Sequence, residues 1–461
     1  MRVWELNSLA FKQREYFYRG KTRPLKVRLA HLRRLYEGIL AYEQQIYDAL
    51  KSDLNKSEYD AYVTEIGYTL KEISQTIKQL PKWDKPKKVR KAPIYLFGTK
   101  SWIINEPYGV VLNIAPWNYP FQLAIIPLVG AIASGNTVIL KPSELTPETS
   151  KLLAKMLREL FPEELVAVVE GGKEISELLL EVNFDYVFFT GGTEIGRSVA
   201  VAAAKKLTPV TLELGGKSPV IVHRDANVAL AARRVAFGKF LNAGQTCVAP
   251  DYVYVYQSVA GEFLDALAQE IEKLYGKEPL NNPNYTRIVN QAHFERLTAF
   301  LETDKDKIEI GGGVDAEKLL IEPTIIHDVW WRNPVMKEEI FGPILPIVEY
   351  LNLDVVLEEI IEQPKPLALY LFTESKKIQK DVLSKVSFGG GCINDTLFHL
   401  THPQLPFGGV GDSGMGRYHG KYSFETFTHQ KSIVKQTTKF DLSMRYDSSD
   451  KALSWVKKVM K

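Results

Sequence analysis

Between Tyr108 and Gly216 the chain sets down five short β-rich runs: YGVVLNIAP, GNTVILKP, LVAVVEGG, FDYVFFTGG and PVTLELGG. Segments of helix length separate them, among them FQLAIIPLVGAIASG, Pro147 to Leu160 and a helix near Lys173 to Leu180. Strands alternating with helices build a parallel sheet wound on both faces, and such sheets take ligands beyond the carboxyl ends of their strands. Gly171, Gly191 and Gly215 stand at those ends. The expected class is therefore α/β, with a doubly wound, Rossmann-like cofactor domain.

A second α/β unit begins after Gly216. It contains a strand from Pro219 to Val222, a helical run from Val228 to Leu241, helices at Ala260 to Tyr275 and Ala292 to Thr303, and strand candidates in KEEIFGPILPIVEY, LALYLFT and GGGCIND. Upstream, residues 24 to 51 carry helical periodicity, and a second helix covers Glu65 to Leu80, ending before Pro81. From 81 to 107 the chain turns rich in proline and lysine and then alternates. That pattern predicts an exposed β-hairpin arm of the kind that pairs with another subunit. Its lysines are a solvated face before they are a phosphate site. The stretch from Phe424 to Tyr446 is partly extended. A length of 461 residues exceeds one ordinary core. The expected division is 1–84 with 108–214 as dinucleotide-binding domain, 215–415 as catalytic domain, 85–107 with 416–446 as oligomerisation arm, and 447–461 as tail.

Composition narrows the partners. A net charge of +3 leaves nothing that calls for nucleic acid. Two cysteines in so long a chain indicate a reducing compartment, the cytoplasm, and thiols free for chemistry. The N-terminus lacks an apolar core of signal-peptide length. The most apolar run, Phe121 to Ser134, falls short of the ~20 residues of a membrane span and holds Pro127.

Glu213 closes the last β-rich run of the first unit, and Cys247 follows in Gly244-Gln245-Thr246-Cys247. The strand and helix between them can fold back so that both face one pocket. A thiol that attacks and a carboxylate that activates water together make covalent catalysis. The plain alternative for Cys247 is a small buried hydrophobe, against which stands its polar loop. GGTEIGRS, Gly191 to Ser198, offers backbone N–H groups at a helix start. It reads as a dinucleotide turn, as a P-loop with Arg197 where lysine belongs, or as a plain turn. Lys141 and Glu144 in LKPSE are ribose contacts or a surface turn. Asn118 in PWNYP is an oxyanion donor or a structural turn. His399, His402, His419 and His429 match no zinc spacing, so no metal is assigned. Cys392 is read as structural.

PWNYP, LKPSE, FTGGTEIG, LELGGKSP, NAGQTC, EEIFGP and LPFGGVGDSGMGRYHG occur in that order. Through them the chain resembles the aldehyde dehydrogenase superfamily over essentially its whole length. TRPLKVRL, KPLALYLF, GQTCVAPDY and YHGKYSFETF resemble its class 3 and fatty aldehyde dehydrogenase branch. The resemblance implies Cys247 as nucleophile, Glu213 as general base for deacylation, and Asn118 with the Cys247 amide as oxyanion donors. It implies Lys141 and Glu144 at the adenosine ribose, Gly191 and Gly196 around the pyrophosphate turn, and Glu339 and Phe341 beside the nicotinamide and its ribose. Gly192 departs from the pattern, since serine is common there. The implied activity is NAD(P)-dependent oxidation of an apolar aliphatic or aromatic aldehyde to its acid through a thiohemiacetal and a thioester. NAD is favoured and NADP possible, because Glu144 would accept a hydrogen bond from a 2′-hydroxyl and repel a 2′-phosphate. The arm at 85–107 and the tail near 424–446 suggest a homodimer. The basic tail DKALSWVKKVMK is too short to span a membrane. The rivals are an NTPase at the Gly191 turn, a Cys–Glu acyl hydrolase without redox, and a non-catalytic scaffold.

Overall fold

The computed structural model describes residues 2–90, 93–441 and 443–460. Residues 1, 91, 92, 442 and 461, which fall within the domain, arm and tail ranges expected above, lie outside the described residues.

The five predicted runs are strands β1 (Val110–Ile114), β2 (Thr137–Lys141), β3 (Val166–Val168), β4 (Tyr186–Thr190) and β5 (Val210–Glu213). They pair in parallel in the order β3-β2-β1-β4-β5, the arrangement of doubly wound dinucleotide-binding sheets. β1, β2 and β4 are buried along their whole length. That is why they read as unbroken apolar runs rather than as alternation. The helix Gln122–Ser134 is buried at every residue, which accounts for its apolarity all round. A short strand, Gly414–Met415, adds antiparallel to β5 and sets Gly414 opposite Glu213.

The second unit is a seven-stranded sheet. In chain order its strands are β6 (Pro219–Val222), β7 (Tyr252–Tyr256), β8 (Ile308–Ile310), β9 (Thr324–His327), β10 (Ile344–Tyr350), β11 (Ala368–Phe372) and β12 (Gly390–Ile393). Their spatial order is β8-β9-β10-β7-β6-β11-β12, and only β8 is antiparallel to its neighbour. The α/β class expected from the sequence is thus present in both units. One refinement matters for function. Cys247 lies in the loop that enters β7, at the amino end of this sheet, whereas Glu213 lies at the carboxyl end of the other. The carboxyl-end rule therefore describes the first sheet only.

Two helical readings need correction, and one helix has no counterpart in the sequence reading. The periodicity of 24 to 51 belongs to two helices, Leu25–Ala41 and Glu43–Leu54, broken at Tyr42. Both keep one apolar stripe on a common core, so the pattern runs through the break. The next helix starts earlier and ends later than expected, running from Glu58 through a π-helical turn at Tyr62–Ile66 to Trp83. Pro81 sits in its last turn and does not end it. A further helix, Val3–Tyr18, had no clear periodicity to announce it, and its aromatic residues Trp4, Phe11 and Tyr18 point outward. The hairpin is present: Lys87–Val89 pairs with Lys100–Pro107, and the tail strand Thr428–Lys435 completes a three-stranded antiparallel sheet. Among the described residues no helix is long and apolar enough to cross a membrane.

Candidate active site

The thiol loop owes its shape to its backbone. Helix Val228–Phe240 gives way to Leu241–Gly244, where Asn242, Ala243 and Gly244 all take positive φ. Asn tolerates this region and glycine prefers it, while alanine is held there at a cost of about 1–2 kcal/mol. Gln245 then locks the turn. Its buried side chain donates to Asn242 O (3.1 Å) and Arg287 O (3.0 Å) and accepts from Val289 N (3.0 Å). Thr246 meets the Tyr119 hydroxyl at 2.6 Å, and Tyr370 donates to Val248 O at 2.6 Å. Cys247 is bracketed by these anchors.

Gly244 has a second constraint. A Cβ there would lie 2.2 Å from Gly342 O, so the thiol loop touches the 339–342 loop backbone to backbone. Gly244→Ala is expected to cost at least about 2 kcal/mol from left-handed strain and overlap. Chemical denaturation reads this, and alkylation of Cys247 should change with it because the loop must move.

Cys247 and Glu213 line one cavity that opens to solvent. Its walls are largely aromatic and aliphatic, with Val63, Tyr68, Leu123, Phe237, Leu397 and Phe398 among them. Glu213 is buried, and neither carboxylate oxygen has a hydrogen-bond partner. Burial raises its pKa well above the carboxylate range. The Cys247 thiol is pushed up to about 12, first by burial and then by the carboxylates of Glu339 and Glu213, while the amides of Cys247 and Val248 oppose the rise. Glu339 is itself raised to about 8 by burial and by Asp251. Its carboxylate lies directly over Gly215, where a Cβ would fall 2.0 Å from Oε2.

Asn118 is buried beside this wall. Its Nδ2 donates to Gln245 O at 3.0 Å, two residues from Cys247. Lys141 and Glu144 meet at the carboxyl end of β2, with Nζ to Oε2 at 2.5 Å. Gly191 donates its N–H to the carbonyl of Glu213 at 3.0 Å, which joins the glycine turn to the carboxylate strand. Gly196 packs on Leu214, leaving no room for a Cβ. Phe341, at φ 49°, stands edge-on to Trp117 with centroids 5.3 Å apart. The fold thus brings Cys247 and Glu213 to one cavity, with Glu339 close enough to raise the thiol and Asn118 tied to the thiol loop at Gln245, though neither lines the cavity. Lys141, Glu144, Gly191 and Gly196 lie at the carboxyl edge of the first sheet. The four histidines gather no metal cluster: among the described residues no group of three or more His, Cys, Asp or Glu side chains could hold an ion.

A nicotinamide dinucleotide fits that edge. Helix Thr193–Ala204 begins at Gly192 without a side-chain cap, and nothing lies within 4 Å of where a Gly192 Cβ would stand. Uncapped N–H groups facing open space are what a pyrophosphate requires. Two features that sequence reasoning missed also belong here. Lys217 ties Asp251 (2.5 Å) to Val335 O and Glu338 O, and Asp251 accepts from Ile340 N, which fixes the Glu339 loop. Lys56 and Glu65 form a buried ion pair beneath Asn118.

The aldehyde dehydrogenase family model matches residues 9–433. The 4,4'-diaponeurosporen-aldehyde dehydrogenase of Staphylococcus aureus is 50% identical over 94% of each chain. The rat enzyme named aldehyde dehydrogenase, dimeric NADP-preferring, is 45% identical over 92% of this chain and 93% of its own. A solved structure described as the substrate-bound state of Staphylococcus aureus AldH superposes with a TM-score of 0.97 at 47% identity, covering 100% of both chains. With its family model matched over most of its length and its thiol and buried carboxylate on one cavity, this chain belongs to the aldehyde dehydrogenase family.

Proposed function

We propose that the chain oxidises apolar aldehydes to carboxylic acids with a nicotinamide dinucleotide, through a thiohemiacetal and then a thioester on Cys247. The observation that carries this reading is that Cys247 and Glu213 line the wall of the same apolar cavity. Cys247 Sγ gives up its proton to solvent, to which the cavity opens, and bonds to the aldehyde carbon as the carbonyl electron pair moves onto oxygen. The amides flanking the thiol and the side-chain amide of Asn118 stabilise the oxyanion that forms, a contribution of about 2.7–4 kcal/mol for one such donor. The nicotinamide, when bound, supplies the acceptor for the hydride that leaves this carbon. Glu213, its oxygens free of other partners, takes a proton from water, whose oxygen attacks the thioester. The acid leaves and the thiol is restored.

In this reading Lys141 and Glu144 hold the adenosine ribose, Gly191 and Gly196 shape the phosphate turn, and Glu339 and Phe341 border the nicotinamide and its ribose. The Glu144 carboxylate accepts from a 2′-hydroxyl and repels a 2′-phosphate, which favours NAD. A relative named as NADP-preferring speaks for NADP as second cofactor. The three-stranded arm sheet, within 85–107 and 416–446, is proposed as a homodimer contact, and the same relative is named as dimeric. Residues 1–84 with 108–214 serve the cofactor and 215–415 carry the thiol. Two free cysteines fit the cytoplasm.

The test is one spectrophotometric panel: aldehydes of graded chain length and an aromatic aldehyde against both nicotinamides. Reduced cofactor should form with kcat/KM rising with apolar chain length. Nucleotide hydrolysis, or thioester hydrolysis without redox, in place of that signal would overturn the reading.

A further inference from the structure

Beneath Asn118 lies an ion pair that the mechanism above does not use. Lys56 and Glu65 are both fully buried, with Nζ to Oε1 at 2.5 Å. Each spends its remaining polar capacity on the segment carrying Asn118. Lys56 Nζ donates to the Asn118 carbonyl at 3.2 Å and lies 4.2 Å from the centroid of the Tyr119 ring. Glu65 Oε2 accepts from Phe121 N (3.1 Å) and Gln122 N (2.9 Å). These are amides at the start of helix Gln122–Ser134, which has no side-chain cap of its own. The pair therefore grips the segment from both ends. The same carbonyl of Asn118 also accepts from Asn242 Nδ2 at 3.0 Å, and Asn242 reaches on to Gln245 O. A continuous hydrogen-bonded path thus runs from Glu65 to the loop of Cys247.

The π-helical turn Tyr62–Ile66 is what places Glu65 there. Its wide register, closed by Gly67 N–H to Tyr62 O, shifts the face of the helix by a fraction of a turn. Gly67 permits it, since a Cβ would lie 3.0 Å from Tyr62 O and 2.8 Å from the tyrosine ring. Val63, Thr64 and Tyr68 face the substrate cavity, while Glu65 turns inward to Lys56. Substrate wall and buried carboxylate come from one local irregularity. Such turns are uncommon in helices and recur at functional sites.

We infer that the Lys56–Glu65 pair is the positioning element of the oxyanion donor: it fixes the backbone of residues 118–122 so that the Asn118 amide is held beside the thiol. A paired charge at this depth is costly to build and more costly to break, because either partner alone is a buried unpaired ion. Its stabilising value over two apolar side chains is small, so rigidity at Asn118 is the physical gain. Neither side chain lines the substrate cavity or the glycine turn, so the pair acts through Asn118 and not on substrate or cofactor.

The inference rests on the oxyanion role proposed for Asn118, and the test separates the two. The readout is the burst rate of reduced nicotinamide in the first turnover, together with the KM for aldehyde and the affinity for cofactor. Glu65→Gln should slow the burst about 10- to 100-fold, the scale of a displacement near 1 Å, with KM and cofactor affinity changed by no more than about twofold to threefold. Asn118→Ala should slow the burst by about 10²–10³. In the Asn118→Ala background, Glu65→Gln should add no more than about twofold, because its route is already cut. If Asn118→Ala leaves the burst unchanged, the oxyanion reading fails and takes this inference with it. If Asn118→Ala slows the burst but Glu65→Gln then adds its full factor, the oxyanion reading stands and the positioning role is wrong. A rise in KM with an unchanged burst overturns it equally. Should Glu65→Gln not fold, Glu65→Asp keeps the charge and withdraws the carboxylate by one methylene. A burst indistinguishable from wild type in that variant rejects the inference.

Discussion

Cys247→Ala abolishes the formation of reduced nicotinamide from aldehyde, with the fold and cofactor binding retained. Without Sγ no covalent adduct forms, and the remaining donors have no tetrahedral centre to stabilise. Loss of a nucleophile of this kind costs about 10⁴–10⁶ in kcat. Alanine is tolerated structurally, because Cys247 is only partly buried on the cavity wall and free of disulfide. Thermal melting should confirm that, and a variant that melts like wild type yet turns over normally refutes the nucleophile. The thiol also carries a pH signature. Burial against the cavity wall and the carboxylates of Glu339 and Glu213 push it up to about 12, so at pH 7 the resting group is the neutral thiol. Alkylation of the cofactor-free enzyme by iodoacetamide should keep rising with pH beyond the range of an ordinary cysteine. Glu339→Gln removes one of the two opposing charges. Glu339, raised to about 8, carries its charge only above that pH, so the substitution should speed alkylation at a fixed pH above about 8.

How much of this was legible in the residues depends on how local each signal is. Pro147–Leu160, Ala260–Tyr275 and Pro219–Val222 read true to the residue, because an apolar stripe or a buried β run is written within one element. Cys247 and Glu213 were legible as a pair because one strand and one helix join them, and that unit can hardly avoid closing on itself. The Lys56–Glu65 pair had no such route. Its partner Asn118 is more than fifty residues further on, and the π turn that aims Glu65 leaves no mark in hydrophobic periodicity. The Lys217–Asp251 tie to the Glu339 loop was hidden for the same reason, as three segments meet there only after folding. The approach of Glu339 to Gly215 is a property of two loops from different parts of the chain. Motif order announced that both are present, and nothing in it said that one carboxylate would sit over the other's backbone. Local periodicity also misled where tertiary packing took over, as at Tyr42, where two helices share one apolar stripe.

Glu213→Gln leaves a protein that reduces about one cofactor per site and then stalls. Acylation does not need the carboxylate, since the thiol, the oxyanion donors and the hydride acceptor are intact. Deacylation does, because water must surrender a proton as it attacks the thioester. General-base help of this kind is worth about 10²–10⁴ in rate, so the steady rate should fall by that factor while the burst keeps its amplitude. Glutamine has the same shape and cannot take the proton. The substitution also has a predictable effect on stability. Glu213 is buried with neither oxygen partnered, and its pKa is raised by that burial. The folded protein holds this proton more tightly than the unfolded chain, whose carboxylate titrates near 4.3. Stability from this group is complete below the unfolded value and is lost as pH rises through the folded one. Glutamine removes that slope, so the variant should melt with a flatter pH dependence from about pH 5 upward, and no lower than wild type at neutral pH. Stopped-flow traces of reduced nicotinamide decide the chemistry. A variant with undiminished steady turnover would show that water is activated elsewhere, and one lacking the burst would place Glu213 in the attack of the thiol rather than in release of the acid.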